Sequence, residues 1–263
     1  MVAVNCPNWV EDTNLIDKIY NQDCIKGMAK MKPNSVDLIV TDPPFAIDFK
    51  KTKANYNRKD KNVIDGYVDV DEKDYDGFTK LWIKQAFDVL KEDGSIYVGS
   101  GFNNLNIILN NMRDVGFDIK NHIIWKYQFG VVTKRKFTTS HYLFVFATKH
   151  KIKYNFYPNC RFSNDEKTET KGSARYKDME DVWTINREYW TGEMKTPTKL
   201  PLELCKKMIN YSSKPKDIVL DPFLGSGQVL LAAKELKRNY VGFEIVKKYH
   251  TFAKSRLNPQ KSE

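Results

Sequence analysis

The sequence predicts an α/β fold built on a mostly parallel, twisted sheet, and three observations carry that expectation. Short apolar, β-branched runs alternate with segments whose apolar residues recur at helical spacing. Two of the runs end in loops rich in proline or glycine, Asp42-Pro43-Pro44-Phe45 and Asp221-Pro222-Phe223-Leu224-Gly225-Ser226-Gly227, and open α/β sheets bind their ligands at such strand ends. At 263 residues the chain can bury one sizeable core with room for an inserted lobe. A single domain over 1–263 is therefore expected.

Taken in order, 36–41 (VDLIVT) reads as a buried strand, stopped by Pro43 and Pro44, which cannot continue a ladder. Segment 76–90 carries Phe78, Leu81, Trp82, Ala86 and Val89 at helical spacing, and Asp93-Gly94 turns the chain into a strand over 95–98. A second amphipathic helix spans 105–115 and ends near Gly116. Two strand-like runs follow, 119–125 and 141–147, separated by a polar, basic segment over 128–140. From about 149 to 196 periodicity is lost, which marks the natural place for an inserted, function-specific lobe. It resumes with a helix over 202–211, a strand over 217–220, a helix over 228–236 and a strand over 240–244; 258–263 reads as a loose tail.

A hydrophobic fraction of 41% and a charged fraction of 29% exclude a disordered or fibrous chain. The longest nearly apolar run, 142–147, is strand-sized, far short of the roughly 18 residues of a membrane helix. A soluble, cytoplasmic protein without membrane association is expected. Cys6, Cys24, Cys160 and Cys205 form no C-x-x-C pair, and the N-terminus lacks a secretory pattern, so reduced thiols are expected. His122 and His141 lack metal-ligand spacing and read as packing or surface residues; no metal is expected.

The net charge of +10 biases the partners towards polyanions. Residues 119–164 contain no Asp or Glu, while Lys120, Lys126, Lys134, Arg135, Lys136, Lys149, Lys151, Lys153 and Arg161 all fall there. Lys50, Lys51, Lys53, Arg58, Lys59 and Lys61 form a second cluster. Tyr127, Phe129, Phe137, Tyr154, Phe156, Tyr157 and Phe162 are interleaved with the first, the mixture expected where phosphates are neutralised and bases stacked. The competing reading is a solvated basic face over core aromatics.

Gly225 and Gly227 let backbone approach a ligand and aim helix N-terminal N–H groups at an anionic group. A dinucleotide site would want glycine where this chain has Leu230, and Glu244, ending the next strand, is placed to accept both hydroxyls of a ribose. Nucleoside binding without a pyrophosphate clamp describes the motif better. At the other motif, two prolines remove donors and leave the carbonyls of Asp42 and Pro43 as acceptors beside the Asp42 carboxylate. That cluster can accept both hydrogens of an amino group, while Phe45 offers a flat face to a base.

In this order, the two motifs resemble those of the amino-methylating DNA methyltransferases that use S-adenosyl-L-methionine. The D-P-P-F motif in the N-terminal half, with F-x-G-x-G near the C-terminus, is similar to their β class. Further matching segments are Gln22-Asp23-Cys24, the strand at 94–98, Ile123-Ile124-Trp125-Lys126, 142–149, Asp181-Val182-Trp183 and Pro197-Thr198 before Pro201. The resemblance implies a Rossmann-like methyltransferase fold with circularly permuted motif order and an inserted target-recognition region over about 128–195. It implies that Asp23 contacts the cofactor's adenine, Glu244 its ribose, and Thr198 with Phe223, Gly225, Ser226 and Gly227 its methionine part; Asp42 and Asp221 join this set. One departure is Thr196-Pro197-Thr198-Lys199-Leu200-Pro201, where many relatives read H-P-T-Q-K-P.

The implied activity is site-specific methylation of adenine N6 in double-stranded DNA. Asp42, Pro43, Pro44 and Phe45 act on a base rotated out of the helix, since pairing hides its amino group. Lys50, Lys51, Lys53 and Arg58, directly after the motif, and Lys134, Arg135 and Lys136 are expected to grip phosphates. Cytosine N4 uses the same geometry, but that branch usually has Ser where this chain has Asp42. Methylation of RNA or of a protein glutamine, and a non-catalytic DNA-binding module, are the remaining alternatives. A cognate restriction endonuclease and a homodimer stay open as partners.

Overall fold

The computed structural model describes residues 16–46, 70–127, 134–161, 178–189 and 199–259. Its centre is an eight-stranded sheet of β1 (Lys18–Tyr20), β2 (Val36–Thr41), β3 (Leu90–Ser100), β4 (Asp118–Lys126), β5 (His141–Thr148), β6 (Val182–Thr184), β7 (Ile218–Asp221) and β8 (Asn239–Phe243). The strand order is β1-β8-β7-β2-β3-β5-β4-β6. All neighbours are parallel except β5, which runs antiparallel to both β3 and β4. Parallel neighbours need a crossover, whereas β4 and β5 pair antiparallel, with Lys126 opposite His141 on the same edge.

The helices are α1 (Cys24–Met28), α2 (Tyr75–Val89), α3 (Leu105–Val115), α4 (Leu202–Ser212), α5 (Gln228–Glu235) and α6 (Lys247–Leu257). Side chains alternate across a strand, so β2 feeds two cores. Leu38 and Val40 join Phe144, Leu204, Met208 and Val229 on the α4 and α5 face. Ile39 joins Ile96, Trp82, Ile83, Ile108 and Met112 on the face of α2 and α3. Coverage on both faces explains why β2 reads as a continuous apolar run.

Several details differ from the sequence reading. Strand β3 begins at Leu90, and Asp93-Gly94 lies in a bulge within it: Val36 pairs with Leu90, but Leu38 already pairs with Ser95. Lys91 Nζ, on that bulge, meets Asp37 Oδ1 at 2.6 Å. The aperiodic segment contains β6, and the 128–195 region contributes β5 to the middle of the sheet. Helix α6 escaped the periodicity reading because its buried residues are only Tyr249, Ala253 and Leu257.

The aromatics expected to stack on bases are mostly structural. Tyr127 is buried in the core, Tyr154 packs against it, and the Phe156 ring stacks on Tyr211 at a centroid distance of 5.5 Å. Phe129 and Phe162 lie outside the described residues. His122 and His141 are exposed. No described helix is long and apolar enough to cross a membrane.

Candidate active site

The register places the carboxyl ends of β1, β8, β7, β2 and β3 side by side: Tyr20 pairs with Phe243, Asp221 with Gly242, and Thr41 with Val98. Asp23, Glu244, Asp221 and Asp42, far apart in sequence, therefore follow or end neighbouring strands along one edge of the sheet.

Asp42 follows β2 directly. Its Oδ1 is shut off from solvent and has no hydrogen-bond partner among the described residues. An unpaired buried acceptor costs free energy, and native structures keep few without a chemical reason. Burial pushes the Asp42 carboxyl up to about 7. Room for it exists because residue 99 on β3 is glycine: a Cβ there would lie 2.4 Å from Oδ1. Phe45 is only 7% exposed and meets Tyr142 edge to face at 5.5 Å. The pair forms one aromatic wall beside Asp42. The Phe45 carbonyl accepts from Asn104 Nδ2. Asn104 occupies the N-cap position of α3 yet makes no capping bond with its side chain.

Asp221, at the end of β7, is buried and accepts from Thr41 Oγ1 at 3.0 Å and from the Phe223 N–H at 3.1 Å. Burial lifts its carboxyl to about 7; the two donors oppose the rise, and the charges of Asp42 and Glu244 add to it. Asp221 thus ties the end of β2 to the glycine turn. That turn carries Gly225 at φ +51° and Gly227 at φ +82°, left-handed backbone that favours glycine. Phe223 sets its ring edge to face on Trp82 at 5.5 Å. Ser226 is buried, and its carbonyl accepts from Arg256 of α6 at 2.6 Å.

Glu244 is buried, with Oε2 accepting from the Gly225 N–H and Oε1 from the Val246 N–H, both at 2.8 Å. Burial raises its carboxyl, and these N–H groups oppose the rise. The two bonds fix the carboxylate while leaving lone pairs for hydroxyl donors of a ligand. Asn21 buttresses it by donating to the carbonyls of Glu244 at 2.8 Å and Ile245 at 3.1 Å. Asp23 caps α1, accepting from the Lys26 N–H at 2.9 Å. The arrangement of a fixed acidic acceptor, a glycine turn and a buried unpaired carboxylate oxygen fits a nucleoside carrying a short charged chain. Thr198 lies outside the described residues; Lys199 beside it is paired with Glu188 at 3.1 Å, and Glu188 also accepts from the Leu202 N–H at 2.7 Å.

Thr41, Gly99, Asn104, Tyr142, Asn21 and Arg256 were not singled out in sequence as site residues. All six show their places only through register and packing.

The basic stretch divides. Lys126 ends β4, and Lys134, Arg135 and Lys136 are exposed in the connection to β5, on the edge that holds Asp42. Lys151 and Lys153 follow β5 and stand exposed at the opposite edge. Lys120, Lys149 and Arg161 are drawn into ion pairs with Asp118, Glu92 and Asp178. The run is thus one basic loop at the site and a separate group away from it. Lys50, Lys51, Lys53 and Arg58 lie outside the described residues.

Comparison with known proteins agrees with this geometry. The type II methyltransferase M.HinfI of Haemophilus influenzae is 33% identical over 261 residues, covering 93% of this chain and 69% of the relative. M2.DpnII of Streptococcus pneumoniae, also named a type II methyltransferase, is 31% identical over 92% of this chain and 90% of its own length. The crystal structure titled M1.HpyAVI-SAM complex superposes with a TM-score of 0.65 at 26% identity, covering 92% of this chain and 98% of that one. PvuII DNA methyltransferase (cytosine-N4-specific) shares the fold, at a TM-score of 0.68, 19% identity and coverage of 93% and 87%. The family model described as DNA methylase matches residues 36–255, from the start of β2 into α6, and the chain belongs to that N6/N4 DNA methylase family.

Proposed function

We propose that the chain is a site-specific DNA methyltransferase moving the methyl group of S-adenosyl-L-methionine to N6 of adenine. At the coarser level it is a DNA methyltransferase of the N6/N4 family, similar to type II enzymes. One observation carries the finer reading: the buried, unpaired Asp42 Oδ1 beside two prolines that offer no N–H.

Bound S-adenosylmethionine supplies a methyl group made electrophilic by its positively charged sulfur. Glu244 accepts the ribose hydroxyls, Asp23 meets the cofactor's adenine, and the turn of Phe223, Gly225, Ser226 and Gly227 holds the methionine part, a role shared by Thr198. Asp221 keeps this turn in step with Asp42 through Thr41. An exocyclic amino group is a poor nucleophile because its lone pair is delocalised into the ring. Asp42 Oδ1 and the Pro43 carbonyl accept its two N–H bonds and draw the nitrogen towards a tetrahedral shape, with the lone pair turned to the methyl group. Asp42 also stabilises the positive charge that develops on the nitrogen and is positioned to receive its proton at Oδ1. Phe45 and Tyr142 wall the base.

Adenine is preferred over cytosine because Asp42, not Ser, opens the motif. A non-catalytic module would leave the unpaired acceptor and the glycine turn without a task. The test is digestion of DNA from cells expressing the protein, with mass spectrometry of the nucleosides. N6-methyldeoxyadenosine is expected; N4-methyldeoxycytidine would overturn the base, and unmodified DNA the activity.

A further inference from the structure

Phe102 stands 87% exposed in the turn over 101–104 that joins β3 to α3. A lone exposed ring elsewhere on a surface asks for no explanation. This one lies on the edge of the sheet that carries Asp42, and its turn adjoins the Asp42 loop on both sides and is bonded to it on one. On one side a Cβ at Gly101 would lie 3.8 Å from Cγ of Phe45. On the other, Asn104 gives its side chain to the Phe45 carbonyl instead of capping α3. Phe102 thus stands between a glycine that faces the Phe45 ring and a residue bonded to the Phe45 carbonyl, while its own ring is left to solvent. A second ring, Phe137, is 98% exposed on the same edge but adjoins Lys134, Arg135 and Lys136 in sequence, and among the described residues no ring contact ties it to the Asp42 loop.

Resting on the reading of the chain as a base-extruding DNA methyltransferase, we propose that Phe102 is the wedge that enters the duplex where the target nucleotide leaves. Rotating a nucleotide outwards unstacks its neighbours and opens a gap, and an apolar side chain inserted there recovers stacking and hinders return of the base. A ring carried on a turn that is bonded to the Phe45 carbonyl can fill that gap as the base arrives at Asp42. Loss of the ring should therefore affect extrusion and leave the cofactor site untouched.

The test uses a duplex carrying the recognition site, located by sequencing methylated DNA, with 2-aminopurine at the target position. The wild-type protein should brighten it on binding. Phe102→Ala should give about a fivefold smaller rise and about tenfold slower single-turnover methylation of normal DNA, with unchanged circular dichroism and S-adenosylmethionine affinity. Phe102→Trp should keep both signals. A duplex with an abasic position opposite the target should restore Phe102→Ala to within about threefold of wild type. Fluorescence and turnover within twofold of wild type in Phe102→Ala, or an equal defect on the abasic duplex, would overturn the wedge. A wild-type protein that neither brightens the probe nor methylates DNA would overturn the reading on which the wedge rests.

Discussion

Asp42 and Asp221 sit where ionisation is costly, each raised by burial to about 7 from the ordinary 3.8. Between about pH 4 and pH 7 the folded protein therefore binds more protons than the unfolded chain, and their contribution to stability falls as pH rises through that window, then levels off. Asparagine at 221 keeps an acceptor for Thr41 Oγ1 and the Phe223 N–H but removes the ionisation. In urea unfolding, Asp221→Asn should match wild type near pH 4 and gain on it by up to about 4 kcal/mol at pH 8, at about 1.4 kcal/mol per pH unit of displacement. A difference that stays constant with pH would contradict the burial of that charge. Catalysis has the opposite slope, because Asp42 must be ionised to accept its N–H bond and to stabilise the charge that develops on the amino group. kcat/KM, which reports the free enzyme, should rise with pH and level off above about 7. Asp42→Asn should be about 100-fold slower or worse and lack that inflection.

At the scale of elements, the end of β2 works because β3 lies in register beside it with glycine at the point of closest approach. A Cβ at residue 99 would lie 2.4 Å from Asp42 Oδ1, so Gly99→Ala should displace the carboxylate. Turnover about tenfold lower, cofactor affinity within threefold and a stability loss of about 1 to 3 kcal/mol are expected; rapid-quench methylation, calorimetry and urea unfolding check the three. The strand ends at which the candidate site residues gather were legible in the sequence because their signals are local: Pro43 and Pro44 stop one run, and Gly225 and Gly227 punctuate another. Gly99 carries no such signal, since its role depends on which strand neighbours β2. Asn104 carries none either, since its bond to the Phe45 carbonyl joins segments 59 residues apart. Strand β5 was legible as a strand, but its reversed direction was not, since it depends on which strands it pairs with.

For the whole molecule, linear charge is a poor guide to surface charge. The acid-free stretch spreads over both edges of the sheet, and three of its cations pair with carboxylates. Only the loop with Lys134, Arg135 and Lys136 stands on the edge of Asp42 among the described parts of that stretch, together with Lys126. Replacing those three with Ala should weaken duplex binding across sequences and lower the log-log salt slope by up to about 3. Lys151→Ala with Lys153→Ala, at the far edge, should leave the slope unchanged. Fluorescence anisotropy at several salt concentrations distinguishes the two; equal effects would mean that DNA does not follow the edge of Asp42.

The central claim is that Asp42 acts in methyl transfer and Glu244 in holding the cofactor. The most direct measurement is single-turnover transfer of a labelled methyl group from saturating S-adenosylmethionine to DNA by wild type, Asp42→Ala and Glu244→Ala, with cofactor affinity from calorimetry. Asp42→Ala should bind the cofactor within about threefold of wild type and transfer methyl at least about 100-fold more slowly. Glu244→Ala should bind it more weakly by about 1 to 3 kcal/mol. Labelling by Asp42→Ala at close to the wild-type rate would contradict the claim.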